Sequence, residues 1–168
     1  MPPQFFDIHA HINDTQFDSD RAEVLTRMHE RKVWSIQVGT DLKSSQAVVA
    51  LAKASDEVFA SIGVHPIDDQ KAQFDKPSFN MLVTSERVVA IGECGLDYSR
   101  LIDVADSESE KIRQKKLFES QIDFAIEYNL PLMLHVRDSD KNIADAHQDI
   151  LEILNAKKKK SGPLLRGN

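Results

Sequence analysis

The chain has 168 residues, 21 basic and 27 acidic side chains for a formal net charge of −6, and 41% apolar residues. That apolar share supports a core and excludes a disordered chain, while the negative charge excludes a broad basic sleeve for nucleic acid. Cys94, the single cysteine, makes no internal disulfide, no apolar run approaches the roughly 18 residues of a membrane span, and Met1 to Asp7 lacks a secretion signal, so one cytoplasmic domain over residues 1–168 is expected.

Phe5 to His9 reads as a first strand. Asp18 or Ser19 can cap a helix whose apolar positions Ala22, Leu25 and Met28 recur every three residues. Trp34 to Gly39 is a second strand, and Ser44 to Ala54 a helix with Ala47, Val48, Leu51 and Ala52 inward. Val58 to Gly63 is a third strand, ending at His65-Pro66, and Pro77 to Ser85 a weaker helix with Pro77 in its first turn. Val88 to Glu93 is a fourth strand. Ser107 and Glu110 form a capping-box signature for a long helix to Tyr128, with Asn129 as a left-handed stop before Pro131. Leu132 to His135 is a fifth strand, and a helix from about Asp140 to Asn155 uses Ile143, Ile150, Leu151 and Leu154.

Strand then helix, repeated, implies parallel strands with right-handed crossovers. After the lysine run Lys157 to Lys160, Ser161-Gly162-Pro163 turns and Leu164-Leu165-Arg166 reads as the start of a sixth strand. A (β/α)₈ barrel takes about 250 residues, so the pattern amounts to about five βα units and a stub of one. A fragment of a longer protein is expected. A doubly wound open sheet also fits the alternation.

Chemistry concentrates at strand ends. Alternation puts His9 and His11 of Asp7-Ile8-His9-Ala10-His11 on one side, two rises of roughly 3.3 Å apart, so both imidazoles can converge on one metal ion. Glu93 closes the fourth strand within Gly92-Glu93-Cys94-Gly95-Leu96-Asp97-Tyr98, and His135 closes the fifth within Pro131-Leu132-Met133-Leu134-His135-Val136-Arg137. His65 follows the third. These ends form the face on which barrel active sites are built. Alternation places Val89, Ile91 and Glu93 together on one strand, and Met133, His135 and Arg137 on the next.

These motifs together resemble the TatD-type metal-dependent deoxyribonucleases: Asp-x-His-x-His, Gly-x-His-Pro, Gly-Glu-x-Gly-Leu-Asp-Tyr and Pro-x-x-x-His-x-Arg, with Phe118 and Gln121 in the long helix. The resemblance covers nearly the whole chain. It implies a (β/α)₈ TIM barrel of the metal-dependent hydrolase type and a two-metal phosphodiesterase, here the N-terminal part of the barrel. One metal would be held by His9 and His11, both bridged by Glu93, and the second bound by His135. Two further ligands of the family belong beyond the fifth strand, outside this sequence. The family departs here at Ser99 and Ser139, neither of them a proposed ligand.

A divalent pair lowers the pKa of water and offsets phosphate charge. Imidazoles and a bridging carboxylate suit Zn²⁺ or Mn²⁺, with Mg²⁺ also plausible where oxygens complete the shell. Asp7 can orient His9, and Asp97 can assist the site or shape its loop. His65 and Arg137 can hold substrate phosphate, Arg137 through its bidentate fork. His147 reads as a packed helix histidine, His29 as solvated, Cys94 as packed under a helix, and the lysine run as a solvated helix end opposing the macrodipole. The expected activity is hydrolysis of DNA, from an end, with RNA also possible. The alternatives are an amidohydrolase cutting a C–N bond, disfavoured because the fourth strand brings Glu93 and no lysine, or an inactive fragment serving as a binding module.

Overall fold

Strand and helix alternate in the computed structural model, which describes residues 2–69, 71–101, 106–139 and 145–161. The order is β1 (Phe5–Ala10), α1 (Arg21–Glu30), β2 (Val33–Val38), α2 (Leu42–Ala54), β3 (Val58–Ile62), α3 (Lys76–Val83), β4 (Val88–Asp97), α4 (Ser107–Tyr128), β5 (Leu132–Arg137) and α5 (Asp145–Ser161). The strands form one parallel sheet in chain order, β1-β2-β3-β4-β5. A doubly wound sheet reverses its strand order at a switch point. None occurs here, so that alternative falls. The expected sixth strand at Leu164–Arg166, Gly162-Pro163 of the turn before it, and the stretch from Asp140 through Ile143 lie outside the described residues, while Ser161, expected in that turn, ends α5.

Two apolar clusters join the helices to one face of the sheet. Val48, Val49 and Ala52 of α2 and Phe79 of α3 meet Val58, Ala60, Ile62 and Ile91 in the first. Phe118 and Ile122 of α4 and Ile150 of α5 meet Cys94 and Leu96 in the second. Among the described residues, no helix covers the other face. Phe6, Ile8, Ile36, Phe59, Val89, Met133 and Leu134 line a hollow of about 630 Å³ there, and Ile8 is 67% exposed. Phe118→Ala removes a fully buried ring and is expected to cost about 3–5 kcal/mol, read by denaturant unfolding.

Several local expectations shift. The α2 cap is Asp41, whose carboxylate accepts from the Ser44 amide at 2.6 Å while the Ser44 hydroxyl accepts from the Asp41 amide at 2.9 Å. Its buried residues are Ser45, Val48, Val49 and Ala52; Ala47 is exposed and Leu51 half-buried. Ser45 takes the inward place because α2 lies close to the end of β2, where a Cβ on Gly39 would stand 2.5 Å from the Ser45 hydroxyl.

The cap of α4 is Asp106 rather than Ser107, accepting from the Ser109 amide at 3.1 Å; Glu110 turns instead to Arg113 and Gln114. Asn129 ends α4 at φ 52°, ψ 44°, as its residue type suggests. α1 is preceded by Asp20, and Asp18 pairs with Arg21 at 2.6 Å instead of capping; Ala22 is exposed while Leu25 and Met28 are half-buried. On α5 the buried residues are Ala146 and Ile150, and Leu151 is exposed. His147 is therefore not packed: it is exposed and meets Asp138 at 2.8 Å. His29 is exposed and paired with Glu57, and Lys157 reaches Asp123 of α4 at 2.7 Å.

β4 is longer than expected and irregular. Its register against β3 slips between Val88 and Ala90, and against β5 between Ile91 and Cys94. Each slip inserts a residue and resets which face follows. Ile91 consequently packs among the helix-side residues, while Val89 lines the bare face. The simple grouping of Val89, Ile91 and Glu93 is corrected.

Candidate metal centre

The C-terminal ends of β1, β3, β4 and β5 bring their polar residues together. His9 is in β1 and His11 follows it, and their Nε2 atoms stand 3.1 Å apart. His11 Nδ1 lies 3.2 Å from the Val38 carbonyl. Donation of Nδ1–H to that oxygen leaves Nε2 as a lone pair. Glu93 faces both rings: its Oε2 is 3.3 Å from His9 Nε2 and 4.0 Å from His11 Nε2.

The second carboxylate oxygen serves the other side. Glu93 Oε1 is 3.0 Å from His135 Nδ1, and His135 Nε2 is 2.9 Å from Asp97 Oδ2. Asp97 is buried and also accepts from the Ser99 amide and hydroxyl. His65 stacks edge-on against His135 with ring centroids 4.3 Å apart, and its Nδ1 lies 2.8 Å from Asp68.

Two donor sets therefore share one carboxylate: His9, His11 and Glu93, and His65, Glu93 and His135, with the ligating atoms of each set within 4.8 Å of one another. Imidazole nitrogens converging on one carboxylate are the donor set of a cation site once the rings give up their protons there, so the residues present fit divalent ions.

The electrostatics agree with the geometry. Burial pushes the Glu93 carboxyl up, but the His135 hydrogen bond and the His9, His65 and His135 charges outweigh it and hold it low. At Asp97 burial is likewise outweighed by Ser99 and His135. His135 is raised, chiefly by its hydrogen bond to Glu93, against burial and with help from Asp97.

Without metal, the raised His135 stabilises the fold fully below its unfolded value, and loses that contribution as pH rises through its folded one. The lowered carboxylates contribute above their unfolded values and lose it in acid. With metal, the ring must be deprotonated, so added ion stabilises more as pH rises. Thermal melts across pH, with chelator and with Zn²⁺, are expected to show opposite slopes through the His135 titration. Parallel slopes would mean that His135 is no ligand.

Other expected residues stand further out. The Asp7 carboxylate accepts from the His9 main-chain amide at 3.1 Å, so it meets the backbone and not the ring. Arg137 sits opposite Asp97 in the β4–β5 register and is exposed. Cys94 points away into the helix-side cluster, where burial pushes its thiol far up and leaves it unreactive.

Gly95 is demanded by this packing. Its φ is +146°, and a Cβ would stand 2.0 Å from the His135 carbonyl oxygen. Gly95→Ala is expected to push β5 away, separating His135 from Glu93 and Asp97 and weakening metal binding in a titration of the folded variant.

Comparison with known proteins adds the family. The model of the TatD related DNase family matches residues 6–166. The chain belongs to that family. The Bacillus subtilis (strain 168) protein named "Uncharacterized metal-dependent hydrolase YabD" is 38% identical over 140 residues, covering 82% of this chain and 52% of its own. The Pantoea ananatis "3'-5' ssDNA/RNA exonuclease TatD" is 35% identical over 142 residues, covering 83% and 52%.

A crystal structure of YJJV, a TatD homologue from Escherichia coli K12, superposes with a TM-score of 0.71 at 25% identity, over 91% of this chain and 57% of that one. The five parallel strands are thus part of a TatD-type barrel. The chain spans about half the length of the curated relatives it matches. Among the described residues, no helix is long and apolar enough to cross a membrane.

Proposed function

We propose that this chain carries part of the active site of a metal-dependent phosphodiesterase acting on DNA, releasing nucleotides from an end, with single-stranded RNA as a further substrate. The observation that carries the reading is the division of Glu93, with Oε2 toward His9 and His11 and Oε1 toward His135. A carboxylate so placed can bridge two ions, and paired ions in such sites lie about 3.5–4 Å apart. His9 and His11 would hold the first and His135 the second. Two bound divalent ions would supply Lewis acidity toward the phosphoryl group and its leaving oxygen.

The chain's own residues orient these groups. The Val38 carbonyl fixes the His11 tautomer, and Asp97 fixes the His135 ring through Nε2. His65 closes the ring of donors beside His135, where it either adds to that ion's shell or meets the phosphate; a change in metal affinity against a change in KM in His65→Ala separates the two roles. Arg137 at the rim offers a fork to a phosphate oxygen, and Arg137→Lys is expected to raise KM several-fold with little change in metal affinity.

The relatives named as exonucleases of single-stranded DNA and RNA support the substrate class. The test uses end-labelled single-stranded DNA and RNA with Mg²⁺, Mn²⁺ or Zn²⁺, and chelator as control. Hydrolysis that persists in chelator defeats the reading, and cleavage of a cyclic amide instead promotes amidohydrolase chemistry.

A further inference from the structure

Helix α4 carries polar side chains on the stripe that it buries. Gln114 and Gln121, seven residues apart and so on one helix face, are both fully buried. A buried primary amide is costly unless its donor and acceptor are used. Each glutamine meets that cost in the same way, on a strand-end residue. Gln114 Oε1 accepts from the Asp97 amide at 2.8 Å, and its Nε2 donates to the Asp97 carbonyl at 3.0 Å. Gln121 Oε1 accepts from the Val64 amide at 2.8 Å, and its Nε2 donates to the Val64 carbonyl at 2.9 Å.

Both clamped residues lead directly to the metal centre. Asp97 is the residue whose carboxylate holds His135. Val64 precedes His65, and the residue after His65 is held by the same helix, because the Arg113 guanidinium donates to the Pro66 carbonyl. Glu110 joins these grips, accepting from Arg113 at 2.7 Å and from Gln114 at 3.0 Å. The close approach is built into the strand as well, since a Cβ on Gly63 would stand 2.9 Å from Gln121 Oε1.

We propose that Gln114 and Gln121 are positioning residues of the metal centre, holding Asp97 and the His65 segment by their main chains so that the donors on the His135 side stay in register with Glu93. The proposal rests on the metal reading above. A main-chain clamp at both polar groups fixes the plane of a peptide as well as its position. The side chain that follows, His65, or that it carries, Asp97, then has one direction to leave from. The first ion's histidines, in β1 and just after it, are outside the reach of these clamps. The two sides of the site should therefore respond differently.

The experiment titrates Zn²⁺ into the metal-free 168-residue chain by calorimetry, and records the visible absorption of the Co²⁺-loaded form. It compares the parent, Gln114→Met, Gln121→Met and a stability control, Phe79→Leu, in the core away from the site. Methionine keeps the length and removes both hydrogen bonds.

The expected result is a loss of about 10–100-fold in the affinity of the His135-side ion in either Met variant, the range for losing an outer-shell partner, with an altered Co²⁺ band. The His9–His11 side should keep parental affinity, and Phe79→Leu should lower the melting temperature without changing either affinity. Should a Met variant fail to fold, Gln114→Glu and Gln121→Glu replace it, since they keep the acceptor and lose the amide donor. Folded variants with parental affinity on both sides overturn the clamp alone. A parent that binds no ion overturns the metal reading, and this proposal with it.

Discussion

Glu93→Gln is expected to reduce hydrolysis by at least about 100-fold, beyond the cost of losing an outer-shell partner. The side chain keeps its size and one oxygen, so the fold should survive. What it loses is the charge and the second anionic oxygen. In the present geometry Oε2 faces His9 and His11 while Oε1 faces His135, so both sides lose the shared negative charge. The amide nitrogen also carries hydrogens and cannot ligate a cation. One of the two sides must then face an NH₂ group.

The variant should accordingly lose affinity for both ions, whereas His9→Ala and His135→Ala should each weaken one. Titration of Zn²⁺ into the three variants separates these outcomes by stoichiometry and affinity. A Glu93→Gln chain that still binds two ions with parental affinity sinks the bridging role, whatever its activity. The same titration at two pH values should show weaker binding at the lower, because the ions compete with the protons that His135 retains.

The strand ends explain why so much of this centre is legible in the sequence. A parallel strand fixes both the face of a residue and the end at which it emerges, so His9, His11, Glu93 and His135 could be placed from alternation and a family resemblance. The irregularities of β4 were not legible. Its two register slips follow from contacts with β3 and β5, and a period-2 reading carries no signal for an inserted residue; Ile91 was assigned to the wrong face for that reason.

Asp97 stayed undecided because its role is set by a hydrogen bond to His135, 38 residues away in sequence. Gln121 belongs to the family resemblance, which gives it no role, and Gln114 reads as an ordinary polar helix residue. What the sequence does offer for both is their spacing, which puts them on one stripe with Leu117, Phe118 and Ile122, all buried. On α4 the cap lies one position before the expected serine, because Asp106 accepts from the Ser109 amide, and α2 begins two residues before Ser44, capped by Asp41. On α5 the buried stripe runs through Ala146 and Ile150 rather than Leu151, so His147 falls outside it and meets Asp138.

The bare face of the sheet gives the last expected result. Among the described residues no helix lies over Phe6, Ile8, Val89, Met133 and Leu134, and β1 and β5 are the outer two of the five described strands. In a closed barrel such residues fill the interior. Left uncovered, they would present an apolar surface, and water would reach the metal centre from that side. Electrostatic stabilisation of a charged transition state is weaker in such a wet site.

The 168-residue chain is therefore expected to bind ions at both donor sets, more weakly on the His135 side, yet to hydrolyse DNA at least about 100-fold more slowly than a version extended by three βα units of a family member. Ile8→Lys gives an internal check on the cause. In the short chain it should reduce self-association in sedimentation and binding of a hydrophobic dye, because Ile8 is 67% exposed. In the extended chain the same lysine would be buried in the barrel and should destabilise it severely. Equal activity in the short and extended chains, lost in both with Glu93→Gln, would mean that the ligands on these five strands suffice, or that a second copy completes the site.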